Sequence, residues 1–207
     1  GTSITRTADA NGGDSPLGNL IADAQKADET IAGTAPPVIG LMNPGGIRAD
    51  LLEDGSGNVT YGAAFSVQPF NNLVASIDLT GAEIKTILNQ QWNGNNEGTN
   101  RKILQVSGLS YTWDLSDALL AGAPAIVGDV MVDDDGDPGT AMVPMVDGDT
   151  YRVVANNFIV DGGDSFTGFA AGENRLTGGL DIDSLREYLL ANDPVAPTAT
   201  DRISQQP

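Results

Sequence analysis

The residues of this chain best suited to chemistry lie in one short stretch, Asn156-Asn157-Phe158-Ile159-Val160-Asp161-Gly162-Gly163-Asp164-Ser165-Phe166. Two amides and an aromatic ring precede a double glycine that carries an aspartate. Paired glycines reach φ > 0 without steric cost, so the backbone can turn back and hold Asp164 beside Phe158. A flat apolar face and a carboxylate on one loop could take a planar base and sugar hydroxyls. The competing reading is a tight surface turn with an incidental Phe. A second segment, Gln68-Pro69-Phe70-Asn71-Asn72, offers another ring and more amides. Phe70 and Phe158 could sandwich a base, and Asn72 could read its edge through a paired donor and acceptor, unless both rings are core residues, the usual place for Phe. A third segment, Asn43-Pro44-Gly45-Gly46-Ile47-Arg48, sets an arginine directly after two glycines at a strand end. Exposed amides with a guanidinium suit an anion. Otherwise this is a glycine turn whose Arg48 pairs with Asp50.

The residue types that are missing bound the chemistry further. There is no cysteine, which excludes disulfides, thiolate metal sites and a cysteine nucleophile. There is also no histidine, so neither a Ser-His-Asp triad nor a histidine-rich dinuclear metal centre can be built from this chain. The 28 acids outweigh 10 bases, for a net charge of -18. A field of that sign repels nucleic-acid polymers and anionic membranes. No apolar run approaches the roughly 18 residues a membrane-crossing helix needs. Asp133, Asp135 and Asp137 form a weak calcium candidate. The loop lacks the glutamate that completes an EF-hand, and a solvated hairpin tip is the better reading. Asp9, Asn11, Asp14 and the pairs Asp147/Asp149 and Asp181/Asp183 are read as ordinary surface. No phosphate-cradling or dinucleotide fingerprint is present. The start Gly1-Thr2-Ser3 reads as a processed or engineered end, with no signal-peptide pattern.

Elements able to position these segments follow from periodicity and caps. Ser15 and Pro16 open a helix with Leu17, Leu20, Ile21 and Ala24 on one face. Val38 to Met42 reads as a buried strand, and Gly62 to Phe65 as a helical turn. Leu73, Ala75, Ile77 and Leu79 alternate along a strand. Thr80 and Glu83 form a capping box for a helix that turns Ile84, Ile87, Leu88 and Trp92 inward. Strands are expected at Ile103–Val106 and through Leu109, Tyr111 and Trp113. Residues 125–132 and 150–155 are expected to pair with each other across the acidic loop. Ser184 and Glu187 are read as the cap of a last helix, and the Pro- and Thr-rich tail from Asp193 is expected to fray. At 207 residues this makes one α+β domain over 1–192, a mixed β-sheet core with packed helices, followed by the tail 193–207.

Taken in order, Leu17-Gly18-Asn19-Leu20-Ile21, the turn Asn43 to Arg48, Gln68 to Asn72, Leu104-Gln105-Val106-Ser107-Gly108, and Asn157-Phe158 through Gly162-Gly163-Asp164 resemble the C-terminal domain of 5′-nucleotidases, a family that includes UDP-sugar hydrolases. The resemblance runs from about Ile4 to about Leu190. It implies a substrate-binding domain for a nucleotide or nucleoside. Phe70 and Phe158 would stack on the base, Asn72 would bond its edge and Asp164 would hold the ribose hydroxyls. Arg48 would bind phosphate, with Asn43 shaping its turn and Arg6 as a register-dependent second contact. It also implies a separate N-terminal metallophosphoesterase domain, absent from this chain, that holds two divalent metal ions and cleaves the ester. This chain alone is then expected to be inactive, and the parent protein to be extracellular, periplasmic or at the cell surface. Three departures weaken the phosphate end: the stretch before the first helix carries only Arg6, Pro44 stiffens the turn, and Asn71 stands where glycine is common. Two alternatives stay open: an extracellular calcium-binding or adhesion module, and the same fold serving cyclic nucleotides, UDP-sugars or another anion.

Overall fold

Helix α1 (Pro16–Lys26) begins where Ser15 Oγ accepts the amide of Gly18 at 3.0 Å and Pro16 occupies the first helical position. The computed structural model describes residues 3–10, 12–31, 33, 35–120, 122–137 and 139–206; Gly1, Thr2 and Asn11 lie outside the described residues. The other helices are α2 (Tyr61–Val67), α3 (Gly81–Asn89), α4 (Leu115–Ala118), α5 (Asn157–Val160) and α6 (Asp181–Ala191). The strands in chain order are β1 (Ile39–Met42), β2 (Leu73–Thr80), β3 (Gln105–Ser107), β4 (Leu109–Asp114), β5 (Ile126–Val132), β6 (Val143–Pro144), β7 (Thr150–Asn156), β8 (Glu173–Leu180) and β9 (Ile203–Gln206). Short 3-10 turns fill several connections.

The strands form two mixed sheets, ordered β3-β1-β7-β2-β8 and β6-β5-β4-β9. Within the larger sheet β1 and β7 run parallel, with Leu41 opposite Ala155, and the other pairs are antiparallel. The period-two alternation sends Ala75, Ile77 and Leu79 of β2 and Tyr151, Val153 and Ala155 of β7 into one core, shared with α3 and the smaller sheet. Trp92 and Trp113 stack there with ring centroids 5.5 Å apart. A second core lies among α1, α2 and α6, built on Leu17, Leu20, Ile21, Ala64, Val67, Ile182 and Leu185. The capping box at Thr80 and Glu83 forms as its sequence predicts.

Register explains where the connections gather. Parallel pairing puts the ends of β1 and β7 together. Antiparallel pairing then brings the starts of β2 and β3 and the end of β8 to the same edge, as Val74 opposite Asn156, Met42 opposite Gln105 and Leu73 opposite Leu180 record. The connections 43–48, 68–72, 93–104 and 157–166 and the start of α6 therefore share one end of the sheet.

Three expectations are corrected. Residues 126–132 pair with β4 and β6, not with 150–155, which sit in the other sheet between β1 and β2. Helix α6 starts three residues before Ser184, directly after β8. Leu180 is its N-cap, and the Ser184 hydroxyl bonds Asp28 and the Leu180 carbonyl instead of capping. The tail does not simply fray: β9 joins the smaller sheet parallel to β4, with Tyr111 opposite Ile203.

This last strand is fastened from α1. Arg202 meets Asp23 through two bonds of 2.8 Å and donates to the Val106 carbonyl at 2.6 Å. Asn19 Nδ2 donates to the Ala199 carbonyl and to Asp14, each at 2.9 Å, and the Thr200 hydroxyl donates to Asp9 at 3.0 Å. The Arg202–Asp23 pair is four-fifths buried on both sides, so its bidentate geometry is protected from screening. Arg202→Ala is expected to lower unfolding free energy by about 2–3 kcal/mol, read from the urea midpoint. A loss below about 0.5 kcal/mol, the scatter of ordinary surface changes, would show that the strand holds without it.

Candidate functional site

Asp164 is the centre of the cluster at the sheet end. Asn156 closes β7 and caps α5, its Oδ1 accepting the Ile159 amide at 3.2 Å. Its Nδ2 donates to Asn43 Oδ1 at 2.9 Å, and Asn43 Nδ2 donates to Asp164 Oδ2 at 2.7 Å. Both asparagines are buried, where an unpaired amide would cost about 1–3 kcal/mol. The two loop ends are thus bound through one line of polar side chains.

The loop that carries Asp164 is bent into place. Gly162 has φ of 91°, and Asp164 and Ser165 also have positive φ, 51° and 67°. Left-handed backbone at two successive non-glycine residues costs on the order of 1–3 kcal/mol each. Gly163 has no room for a side chain: a Cβ there would lie 2.6 Å from the Phe158 ring. The Phe158 ring therefore rests against Gly163 on its own loop. Asn96 holds the bend from the other side, its Nδ2 donating to the Asp164 carbonyl at 2.8 Å and to the Gln90 carbonyl at 2.9 Å. Asn95 adds a bond to the Ser165 hydroxyl at 3.1 Å.

Phe70 and Phe158 are 52% and 45% exposed, whereas Phe166 and Phe169 are in the core. The reading of the first two as core residues is thereby set aside. Asn71, with φ of 53°, makes the turn at Phe70, an arrangement asparagine tolerates. Asn157 Oδ1 accepts the Leu73 amide at 2.7 Å and so ties this segment to the start of α5. Arg48 does not pair with Asp50. Its guanidinium lies 5.8 Å from the Phe70 ring centroid and donates to the Gly45 carbonyl at 3.2 Å. Asp50 accepts instead from the Arg6 amide at 2.8 Å, and the Arg6 side chain donates to the Ile47 carbonyl at 3.0 Å. Arg6 also lines a cleft of about 610 Å³ together with Pro44, Ile47, Arg101 and Trp113. Phe70, Asn72 and Phe158 are not among the residues of this cleft.

Asp133, Asp135 and Asp137 do not form a three-carboxylate group. Asp133 is buried 3.5 Å from Lys26, and Asp135 accepts from the Asp137 amide and the Thr140 hydroxyl. Among the described residues no three His, Cys, Asp or Glu side chains form a group that could hold a metal ion.

The model of the 5′-nucleotidase C-terminal domain family matches residues 1–171. The chain belongs to that family. A 5′-nucleotidase-related protein of Glossina morsitans morsitans is 33% identical over 199 residues, 91% of this chain and 34% of that protein. A cell wall protein of Listeria monocytogenes is 40% identical over 159 residues, 75% of this chain and 18% of its own length. Among solved structures, the 5′-nucleotidase precursor from Thermus thermophilus superposes with a TM-score of 0.79 at 34% identity, over 99% of this chain and 38% of that one. The chain thus spans about a fifth to two-fifths of the length of these three proteins. The α+β fold expected from the motifs is the fold of this family.

Asn96 lies in a polar loop whose asparagines give no periodic signal, and the expectation that Asp181 is ordinary surface is corrected. The structure buries Asp181 at 1% exposure under the Phe70 segment, its amide donating to the Asn72 carbonyl at 2.9 Å. Burial pushes its carboxyl up to about 6, outweighing the Ile182 amide and the neighbouring side chains of Asn72 and Gln68, which favour the charged form. Because the folded-state value lies above the unfolded one, ionising Asp181 opposes folding. That cost is absent below about pH 4, builds between about 4 and 6, and is complete above. Asp181→Asn is expected to unfold at higher urea than the wild type at pH 8, by on the order of 2 kcal/mol, with no gain at pH 4. Equal gains at both pH values would remove the ionisation argument.

Proposed function

We propose that this member of the 5′-nucleotidase C-terminal family is the nucleotide-recognition unit of a secreted or cell-surface phosphohydrolase. The observation that carries the reading is the placing of two exposed phenylalanines and a fixed aspartate at one sheet end. In this reading the base lies between Phe70 and Phe158, Asn72 bonds its edge, and Asp164 accepts from the ribose hydroxyls. Arg48 swings from the Phe70 face to the phosphate, and Arg6 supports it from the Ile47 side. Asn43 has no direct part; it aims Asp164.

Cleavage would belong to a metallophosphoesterase domain that holds two divalent ions and receives the phosphate from this unit. No histidine is available here for such a centre. The secreted or surface location draws support from relatives described as a cell wall protein and a snake venom 5′-nucleotidase. No helix among the described residues is long and apolar enough to cross a membrane.

Calorimetry with adenosine, AMP, UMP, a cyclic nucleotide and a UDP-sugar tests the reading and ranks the substrate classes. Binding of a nucleoside or nucleotide is expected below millimolar dissociation constants. Phe158→Ala should weaken it by about tenfold or more, as the loss of one base–aromatic stack requires. Asp164→Ala should weaken adenosine but not a free base. No binding of any of these ligands, or affinity untouched in Phe158→Ala, would sink the pocket. The chain itself, supplied with divalent metal, should release no phosphate from AMP.

A further inference from the structure

Six of the ten basic side chains are tied to carboxylates: Lys26, Lys85, Arg152, Arg175, Arg186 and Arg202. The other four, Arg6, Arg48, Arg101 and Lys102, make no ion pair with any described residue, although the chain holds 28 acids. In so acidic a protein an arginine left without a carboxylate needs a reason. Arg48 has one in the reading above. Arg6 and Arg101 share another place, the cleft of about 610 Å³ that Pro44 and Ile47 of the Asn43–Arg48 turn help to line.

The walls of this cleft are held by specific contacts. Arg6 enters from the N-terminal segment, pinned by its bond to the Ile47 carbonyl. Arg101 enters from the loop before β3, its guanidinium 5.4 Å from the centroid of the Trp113 ring. Trp113 is immobile, stacked on Trp92 and donating its indole NH to the Gly12 carbonyl at 2.9 Å. A guanidinium lying on an aromatic face keeps its in-plane donors free. Pro44 and Ile47 line the cleft from the turn that carries Arg48, and Thr99 adds a hydroxyl. Asp9 also lines the cleft, with the Thr200 hydroxyl donating to its Oδ2. Two guanidinium groups lining one cleft repel each other, and an anion between them removes that repulsion.

We propose that this cleft is a second anion subsite, which takes a phosphoryl group beyond the one at Arg48, and that Arg101 sets a preference for nucleotides with more than one phosphate. Its place along the ligand rests on the nucleotide reading above; its affinity for a phosphoryl anion does not. Arg6 fixes the near side of the subsite through the Arg48 turn. Arg101 brings the far side from a different loop, so chain length of the phosphate decides whether both are used.

Calorimetry at low salt, where exposed charges are least screened, separates the two readings. Inorganic pyrophosphate, adenosine, AMP and ADP are titrated into the wild type, Arg101→Ala, Arg101→Lys and, as a control of equal charge change elsewhere, Lys85→Ala. The wild type should bind pyrophosphate, and should bind ADP about tenfold more tightly than AMP, the size expected of one added charge-assisted contact. Arg101→Ala should lose both the pyrophosphate binding and the ADP preference. Arg101→Lys should keep part of each, because charge remains while the stacked fork is lost. Lys85→Ala should match the wild type. Equal affinity for ADP and AMP in the wild type, or pyrophosphate binding that Arg101→Ala leaves intact, overturns the subsite. Pyrophosphate binding that needs Arg101 in a protein deaf to adenosine keeps the anion cleft and discards the nucleoside pocket. Adenosine binding without any Arg101-dependent anion binding does the reverse.

Discussion

The parallel pairing of β1 with β7 is the constraint on which the site depends. A parallel pair sets both carboxyl ends side by side, and here each end is an asparagine, Asn43 after one strand and Asn156 closing the other. Both are buried, and their amides bond each other, the α5 amide end and the Asp164 carboxylate. A one-residue slip of either strand would turn that side chain to the opposite face of the sheet. It would orphan the remaining amide in a dry setting and release Asp164. Register and site geometry are therefore the same fact. The left-handed backbone at Asp164 and Ser165 persists because this line of bonds, with Asn96 behind it, holds what the local preference would relax.

The uneven use of basic residues reconciles the proposed anion sites with an acidic protein. Most guanidinium and ammonium groups brace structure: Arg202 ties β9 to α1, and Arg152 joins Asp78 and the Ser76 hydroxyl across the larger sheet. The rest lie in the segments around the end of β1 and the start of β3. Screening limits the reach of distant surface charge to about 8–10 Å at physiological salt. Inside that distance the sign of the nearest groups decides what binds, not the net charge of the chain. The global field still acts at long range, where it slows the approach of anionic polymers more than that of a small ligand.

Local signals in the sequence carry far where the determinant is itself local. The Ser15 and Thr80 caps and the alternation through Leu109, Tyr111 and Trp113 each depend on neighbours a few residues away, and each is found as expected. Of the glycine pair before Asp164 only Gly162 takes positive φ, and the left-handed bend continues at Asp164 and Ser165 instead of Gly163. Partner choice between strands is not legible in this way. Residues 125–132 and 150–155 both read as strands facing each other across an acidic loop, yet a bulge-bearing pairing with β4 claims the first and the parallel bond with β1 claims the second. The start of α6 is misleading because Ser184 and Glu187 imitate a cap, while the real boundary is set by β8 ending against β2. The tail looks loose because Ile203 to Gln206 is a short polar strand. What orders it is an arginine meeting a carboxylate 179 positions earlier. The resemblance locates the aromatic and arginine segments, but Asn96, Asp181 and Arg101 matter through contacts that no pattern of spacing announces.

The exposure of Phe70 and Phe158 has a thermodynamic meaning beyond marking a surface. The loops that bear them are rigid: Gly163 leaves space for one ring, Asn157 clasps the start of β2, and Asp181 supports the Asn72 main chain. Rigid loops could have turned these rings into the adjacent core, as they do Phe166, two residues beyond Asp164. Leaving them half in water forgoes burial at about 25 cal/mol per Å² of apolar surface. In the proposed reading the same rigidity would leave little conformational entropy to be lost when a flat ligand covers the rings, and the forgone burial would be recovered on binding. A surface turn carrying an incidental phenylalanine would need neither the strained backbone at Asp164 nor four asparagines to maintain it. Their joint presence is the feature of the fold on which the proposed nucleotide reading rests.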